Sequence, residues 1–257
     1  MLNLITPIWP APPQVKAYST TRYGGYSKPP YDGLNLADHV GDEAVAANRA
    51  LLVQSLKLPS EPVWLKQVHG IHTVTASPAH TNCAADASIA RQAGQVCVVL
   101  TADCLPVLFC DRAGSCVAAV HAGWRGLAAG ILEATLQRLN VPAQDILVWL
   151  GPAIGPQAFE VGEEVRAAFM DFLAQAADAF IRSRNAHWLA DLYLLARQRL
   201  AHQGVTAVFG GDFCTYMDIE RFYSYRRDKV TGRMASLIWL NGITDKRCFG
   251  NTASLVG

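Results

Sequence analysis

Charge is scarce in this chain. Only 17% of its 257 residues are charged, and the formal net charge is +1. The basic surplus that tracks a nucleic-acid backbone is missing, so no nucleic-acid partner is expected. Long apolar runs are missing too. The longest, residues 96–110, is interrupted by Thr101, Asp103 and Pro106. That is too short and too polar to cross a bilayer, so no membrane partner is expected. The opening Met1-Leu2-Asn3-Leu4-Ile5-Thr6-Pro7 has no basic residue, and the prolines that follow break a signal helix. A cytoplasmic location is therefore expected. No linker rich in Pro, Gly or Ser divides the chain and no repeat recurs, so residues 1–257 read as one domain. Several catalytic signatures are absent as well: Gly-x-x-x-x-Gly-Lys-Ser/Thr, Gly-x-Ser-x-Gly, His-Glu-x-x-His and Cys-x-x-Cys. These absences remove the phosphate-cradling loop, the serine elbow and the local zinc-ligand spacings.

What is present is a large core. Hydrophobic residues make up 51% of the chain, enough to exclude disorder. The seven cysteines are an odd number without framework spacing, which suits a reducing compartment and small core thiols.

Hydrophobic periodicity predicts helices over residues 43–56, 127–139 and 163–180, and one capped by Asp191 that ends before Gly204. Strands are predicted over 63–68, 95–100, 104–110, 115–120, 145–150, 205–209 and 234–240. Residues 17–40 read as a short strand and a long ordered loop. Strands outnumber helices and several are adjacent, so the fold class is α+β, a mixed α/β layered sandwich.

His69, Cys104 and His121 each stand in a short polar break between apolar runs. Two imidazoles and a thiolate are a set Zn2+ prefers, with a fourth position left for water or substrate. A hairpin brings two of them together. Residues 104–110 and 115–121 flank the turn Asp111-Arg112-Ala113-Gly114. A loop of two or four residues there sets Cys104 directly opposite His121, with Cβ atoms about 4.5–5.5 Å apart. A three-residue loop with a glycine bulge shifts the register by one. Taken singly, each residue has a plainer reading: a turn histidine, a buried thiol and a helix cap.

Gly123-Trp124-Arg125-Gly126 precedes a helix, where free amides and the Arg125 fork suit an anion. It also reads as a simple strand–turn–helix joint. Gly151-Pro152-Ala153-Ile154-Gly155-Pro156 reads as a stiff connection. Residues 221–228 mix aromatics with arginines, either to stack on a base or as a strand with buried rings and solvated cations.

The blocks Thr20-Thr21-Arg22, Leu34-Asn35-Leu36, His39-Val40-Gly41-Asp42, Asn48-Arg49, Gln67-Val68-His69-Gly70, Thr101-Ala102-Asp103-Cys104, His121-Ala122-Gly123-Trp124-Arg125-Gly126 and Ser224-Tyr225-Arg226-Arg227-Asp228 occur in one order. The chain thereby resembles the laccase-domain family, also called polyphenol oxidase or peptidoglycan editing factor, over nearly its whole length. The resemblance implies a sandwich related to cysteine deamidase-like folds. It implies purine nucleoside phosphorylase activity on adenosine, inosine and methylthioadenosine, with adenosine deaminase activity beside it. It also implies zinc, with copper as the other candidate, on His69, Cys104 and His121. Asn35 and Arg49 match positions beside the substrate. The sequence departs from the family after Gly155-Pro156, where relatives carry cysteines and this chain has Gln157-Ala158-Phe159. His-x-His copper motifs are also missing.

Three readings follow. A zinc enzyme would use a purine nucleoside and phosphate as small-molecule partners, with Arg49 and Arg125 on the phosphate and Asp103 as proton shuttle for deamination. A metal-free Cys104–His121 pair would instead make a hydrolase of peptidoglycan precursors. A binding module would hold metal or nucleoside without chemistry. A monomer or weak homodimer is expected.

Overall fold

The computed structural model describes residues 2–184 and 186–242; Cys248 lies outside them. Thirteen strands are formed among the described residues. They are β1 (Leu4–Ile5), β2 (Val15–Thr20), β3 (Thr73–Thr75), β4 (Ala87–Ala90), β5 (Val96–Thr101), β6 (Leu105–Asp111) and β7 (Val117–Ala122), then β8 (Ile146–Leu150), β9 (Glu160–Val161), β10 (Phe180–Arg182), β11 (Trp188–Ala190), β12 (Val208–Gly210) and β13 (Met234–Leu240). The helices are α1 (Val45–Leu56), α2 (Trp124–Ala129), α3 (Ile131–Leu139), α4 (Glu163–Met170), α5 (Leu192–His202) and the short α6 (Tyr225–Asp228).

Two sheets pack face to face, one of order β1-β2-β13-β5 and one of order β12-β8-β6-β7-β4-β3. Between them lie Val15, Cys97, Val99 and Ile238 from the first sheet, and Leu108, Val117, Ala119 and Trp149 from the second. The second sheet's other face, with Val107, Phe109, Val120 and Val148, packs on Leu127, Ile131, Val165 and Leu195 of the helices. The first sheet's outer face, with Val96, Val98 and Leu237, packs on Leu34, Leu36 and Leu52. The result is a four-layer α+β sandwich, as expected. Strands covered on both faces have no polar side, which is why residues 96–110 read as one apolar run.

Local departures have local causes. Residues 63–68 form no strand, only isolated bridges from Val63 to Cys97 and from Lys66 to Ala84. The Gln67 side chain takes over the pairing: its amide donates to the Leu100 carbonyl and accepts from the Leu100 N–H, both at 2.8 Å. The helix expected over 127–139 starts at Trp124 and breaks at Gly130, whose φ of 104° ends one helix and begins the next. The helix expected over 163–180 stops at Met170, and a 3-10 segment Ala174–Ala179 follows. The chain folds back there to bury Ala176, Ala179 and Phe180 beside Phe169. The last strand before 210 begins only at Val208. Residues 221–228 form a loop and α6 instead of a strand, with Phe222 and Tyr223 buried.

The hairpin register also differs. Leu105 pairs with Ala122 and Pro106 with His121, so Cys104 is not opposite His121. The loop does have four residues, but it runs 112–115, because the Asp111 N–H reaches the Cys116 carbonyl. Asp111 sets this position. Its carboxylate accepts from the Ser115 N–H (2.7 Å), the Ser115 hydroxyl (2.6 Å) and the Cys116 N–H (3.0 Å). The shift is by two residues, an even number, so Cys104 stays on the face of His121 as its diagonal neighbour.

Burial works against the Asp111 charge, but these three donors outweigh it and hold the carboxyl below its ordinary value of 3.8. A depressed folded-state pKa stabilises above the ordinary value and is lost as pH falls through the folded one. The Asp111→Ala variant is therefore expected to lose about 2 kcal/mol at neutral pH. Its melting-temperature deficit against wild type should hold from pH 7 to 5 and shrink below about 3.8; a pH-independent deficit would refute this account.

Candidate active site and metal centre

The link between β5 and β6 crosses from one sheet to the other in three residues, Ala102-Asp103-Cys104. So sharp a crossing puts Asp103 at φ 87°, a region that a non-glycine residue occupies only when its surroundings hold it. They do. The Asp103 carboxylate accepts from the Thr215 hydroxyl (2.7 Å), the Ser224 hydroxyl (3.0 Å) and the Arg226 N–H (2.6 Å). Its carbonyl accepts from the Ile154 N–H at 3.0 Å. Three segments, around Ile154, Thr215 and Ser224–Arg226, are thereby pinned beside Cys104.

His69 ends the 63–69 strap and also has positive φ, 60°. Its turn is organised by Asp86, a residue the sequence reading passed over. The Asp86 carboxylate accepts from the N–H groups of Val68 (3.2 Å), His69 (2.9 Å) and Gly70 (2.7 Å). The same carboxylate accepts from Nδ1–H of His121 at 2.8 Å. That bond leaves Nε2 of His121 for the centre and fixes its ring, the arrangement that orients metal-binding imidazoles. A lone acid in the apolar run Ala84-Ala85-Asp86-Ala87 was the available signal.

The three donors converge. Cys104 Sγ is 3.7 Å from His69 Nε2, and the two rings meet edge to face with centroids 4.7 Å apart. One donor atom from each of His69, Cys104 and His121 lies within 4.8 Å of the others. Zn–S near 2.3 Å and Zn–N near 2.0 Å require donor spacings of roughly 3.5 Å, so small side-chain adjustments close the set around one ion. A thiolate and two imidazoles, with one side open, fit zinc; thiolate also suits copper.

Gly123 makes the convergence possible. A Cβ there would sit 2.7 Å from His69 Cδ2 and 3.1 Å from Cys104 Sγ. Gly126 similarly admits the His69 turn, since its Cβ would meet the Gly70 carbonyl at 2.8 Å.

Burial would raise the Cys104 thiol, but the positive charge and hydrogen bonds of His121, and then of His69, bring it down to about 6. His121 is pushed upward in turn: burial opposes its charge, and Cys104 and Asp86 restore it. Without metal the centre favours thiolate beside imidazolium, and metal binding then has chiefly the His121 proton to displace.

The centre forms part of the wall of a cavity of about 1060 Å³. Trp124, Phe159 and Tyr225 supply aromatic surface, and Lys66, Arg125, Arg226, Lys229 and Arg233 supply positive charge. Arg125 is in the cavity wall, exposed and 4.4 Å above the Trp124 ring. Asn35 and Arg49 are not in the wall. Asn35 is fully buried, donates to Asp42 (2.8 Å), and accepts from the N–H groups of Ala37 and Arg233. Arg49 lies over Trp64, donates to the Leu36 carbonyl (3.0 Å) and sits 3.6 Å from Asp38. Both stand one layer behind, supporting Arg233 and Asp38, which do face the cavity. Arg226 belongs to the aromatic–arginine segment 221–228 noted in the sequence; Arg233 was not singled out, because nothing in its local spacing marks it.

Relatives agree with this architecture. The chain is 58% identical to the purine nucleoside phosphorylase YfiH of Escherichia coli, over 93% of this chain and 100% of that one. It is 57% identical to a purine nucleoside phosphorylase of Pseudomonas aeruginosa, over 92% and 98%. A crystal structure of a Neisseria meningitidis protein superposes with a TM-score of 0.90 at 50% identity, covering 93% of this chain and 100% of that one. Residues 16–241 match the family described as multi-copper polyphenol oxidoreductase laccase. The chain belongs to that laccase family.

Proposed function

We propose that this protein is a zinc-dependent purine nucleoside phosphorylase with adenosine deaminase activity beside it. The observation that carries the proposal is a His–Cys–His centre opening on a cavity with both cationic and aromatic walls. The names of the two relatives above point to the same chemistry.

His69, Cys104 and His121 would hold the ion, which when bound supplies a Lewis acid that polarises an oxygen at the cavity wall. The chain's own residues bind and orient. Trp124, Phe159 and Tyr225 offer faces for a purine, as in adenosine, inosine or methylthioadenosine. Arg125 and its cationic neighbours hold phosphate near the sugar. A phosphate oxygen forms the bond to C1′ as the bond from C1′ to the base breaks. The electron pair leaves on the base nitrogen, which takes up a proton, and ribose 1-phosphate and free base result. The held anion also meets the positive charge that develops on the sugar. Deamination replaces the C6 amino group with oxygen from water and releases ammonia. In this reading Asp103 positions the Cys104 link, since its oxygens already serve three protein donors. We assign it this positioning role in place of the proton shuttle expected from its place beside Cys104.

Purified protein with inosine and phosphate should yield hypoxanthine and ribose 1-phosphate, read by chromatography; adenosine should yield adenine and also inosine. No turnover by metal-replete protein removes the proposal. Elemental analysis should find about one zinc per chain, with one vacant-sided three-ligand site to fill. Copper at that stoichiometry would favour the oxidase chemistry of the family description instead.

His69→Ala and Gly123→Val should abolish metal retention without unfolding the chain. Asp86→Asn should weaken it about 10–100-fold through loss of the ring anchor. Equal metal affinity in wild type and Asp86→Asn would sink the role given to Asp86.

The closeness of Cys104 to His69 and His121 favours a second reading, a Cys–His hydrolase of peptidoglycan precursors. Iodoacetamide separates the two. Labelling of Cys104 should be blocked by zinc; turnover that needs no metal but is lost on labelling would favour the hydrolase.

A further inference from the structure

Among the described residues, six arginines pair with carboxylates: Arg22, Arg49, Arg166, Arg199, Arg221 and Arg227. The three in the cavity wall, Arg125, Arg226 and Arg233, have no such partner among the described residues. They differ in how they are held. Arg125 is exposed and rests on a ring. Arg226 spends Nη1 on the Glu160 carbonyl at 2.7 Å. Arg233 is half-buried and fixed at both ends.

Its backbone N–H donates to the buried Asn35 side chain at 2.9 Å. Its Nη1 donates to the carbonyls of Thr231 (2.7 Å) and Gly232 (3.0 Å). The Tyr225 ring lies 5.8 Å from Cζ. These contacts occupy one side of the guanidinium and set its plane. No acceptor among the described residues takes the other edge, Nε and Nη2, and Arg233 lines the cavity. That edge is the fork that takes two oxygens of a tetrahedral oxyanion at once.

The position is equally specific. Met234 at the start of β13 pairs with Thr101 at the end of β5, so Arg233 stands level with the link that carries Cys104. Burial works against its charge, and Cys104 and then Asp103 are the negative groups that most sustain it. With the first committed to the metal centre and the second to three protein donors, an anion in the cavity is the missing complement.

From this geometry we infer that Arg233 is the residue that anchors inorganic phosphate beside the metal centre, a role separate from nucleoside binding. The inference rests on the phosphorolysis reading for its kinetic consequence but not for binding itself. It makes Arg233 the inner, fixed half of the phosphate site and Arg125 the exposed half.

The test uses zinc-loaded protein and inorganic phosphate. Wild type should bind phosphate by calorimetry; Arg233→Gln should lose that binding, and Arg233→Lys should keep part of it, while zinc content and far-ultraviolet circular dichroism stay unchanged. In steady state, Arg233→Gln should raise the KM for phosphate at least tenfold, with the KM for inosine within about twofold, a change of about 1.4 kcal/mol or more in phosphate binding alone. Unaltered phosphate binding in Arg233→Gln, or a wild type that binds no phosphate, overturns the inference. A wild type that binds phosphate through Arg233 but turns over no nucleoside overturns the phosphorylase reading and leaves the anion site standing.

Discussion

The Asp86 carboxylate is the interaction on which the rest of the site depends. One buried anion ties a turn with positive φ to a histidine on a sheet strand, through three backbone N–H groups and one imidazole N–H. A buried carboxylate is unfavourable unless its lone pairs are filled. Here filling them is what assembles the candidate metal site: the geometry that satisfies Asp86 is also the geometry that brings the His69 and His121 rings together. Burial would raise its proton affinity, yet the bonds from His121, Gly70 and His69 bring it below the ordinary range. The anion thus survives inside the protein.

Asp103 repeats the strategy on the opposite side. It too holds a strained backbone with a set of donors drawn from distant segments, and it too lies next to a member of the His–Cys–His set. The sandwich itself offers only two sheets that end near one another. Two aspartates turn that junction into a centre. Gly123 supplies the remaining requirement, which is room. Protein interiors are packed closely enough that even one methyl group at this point would separate sulfur from imidazole.

Elements with local signals were legible in the sequence. Residues 234–240 and the Asp191-capped helix stand where periodicity and capping put them, because buried strands and capped helices carry their information in adjacent residues. His69, Cys104 and His121 were legible because thiolate and imidazole are rare and chemically distinctive. The register was less so. Asp111 picks a loop one residue later than the turn residues suggest, by satisfying its own side chain. Asn35 and Arg49 show the limit most plainly. Both are polar, both lie near the site, and both face inward, as supports for Arg233 and Asp38. Which way a polar side chain faces depends on contacts between segments far apart in the chain, and no window of sequence contains them.

Strand β13 lies in the middle of its sheet, between β2 and β5, although it is formed by residues 234–240. The first sheet therefore has a gap at its centre until residues 234–240 have been made. Every residue of the His–Cys–His set emerges long before that, yet the floor beneath Cys104 is completed only when this late strand slots into place. Closure of the first sheet, and with it the support of the β5–β6 link, therefore waits on a pairing between segments far apart in the chain.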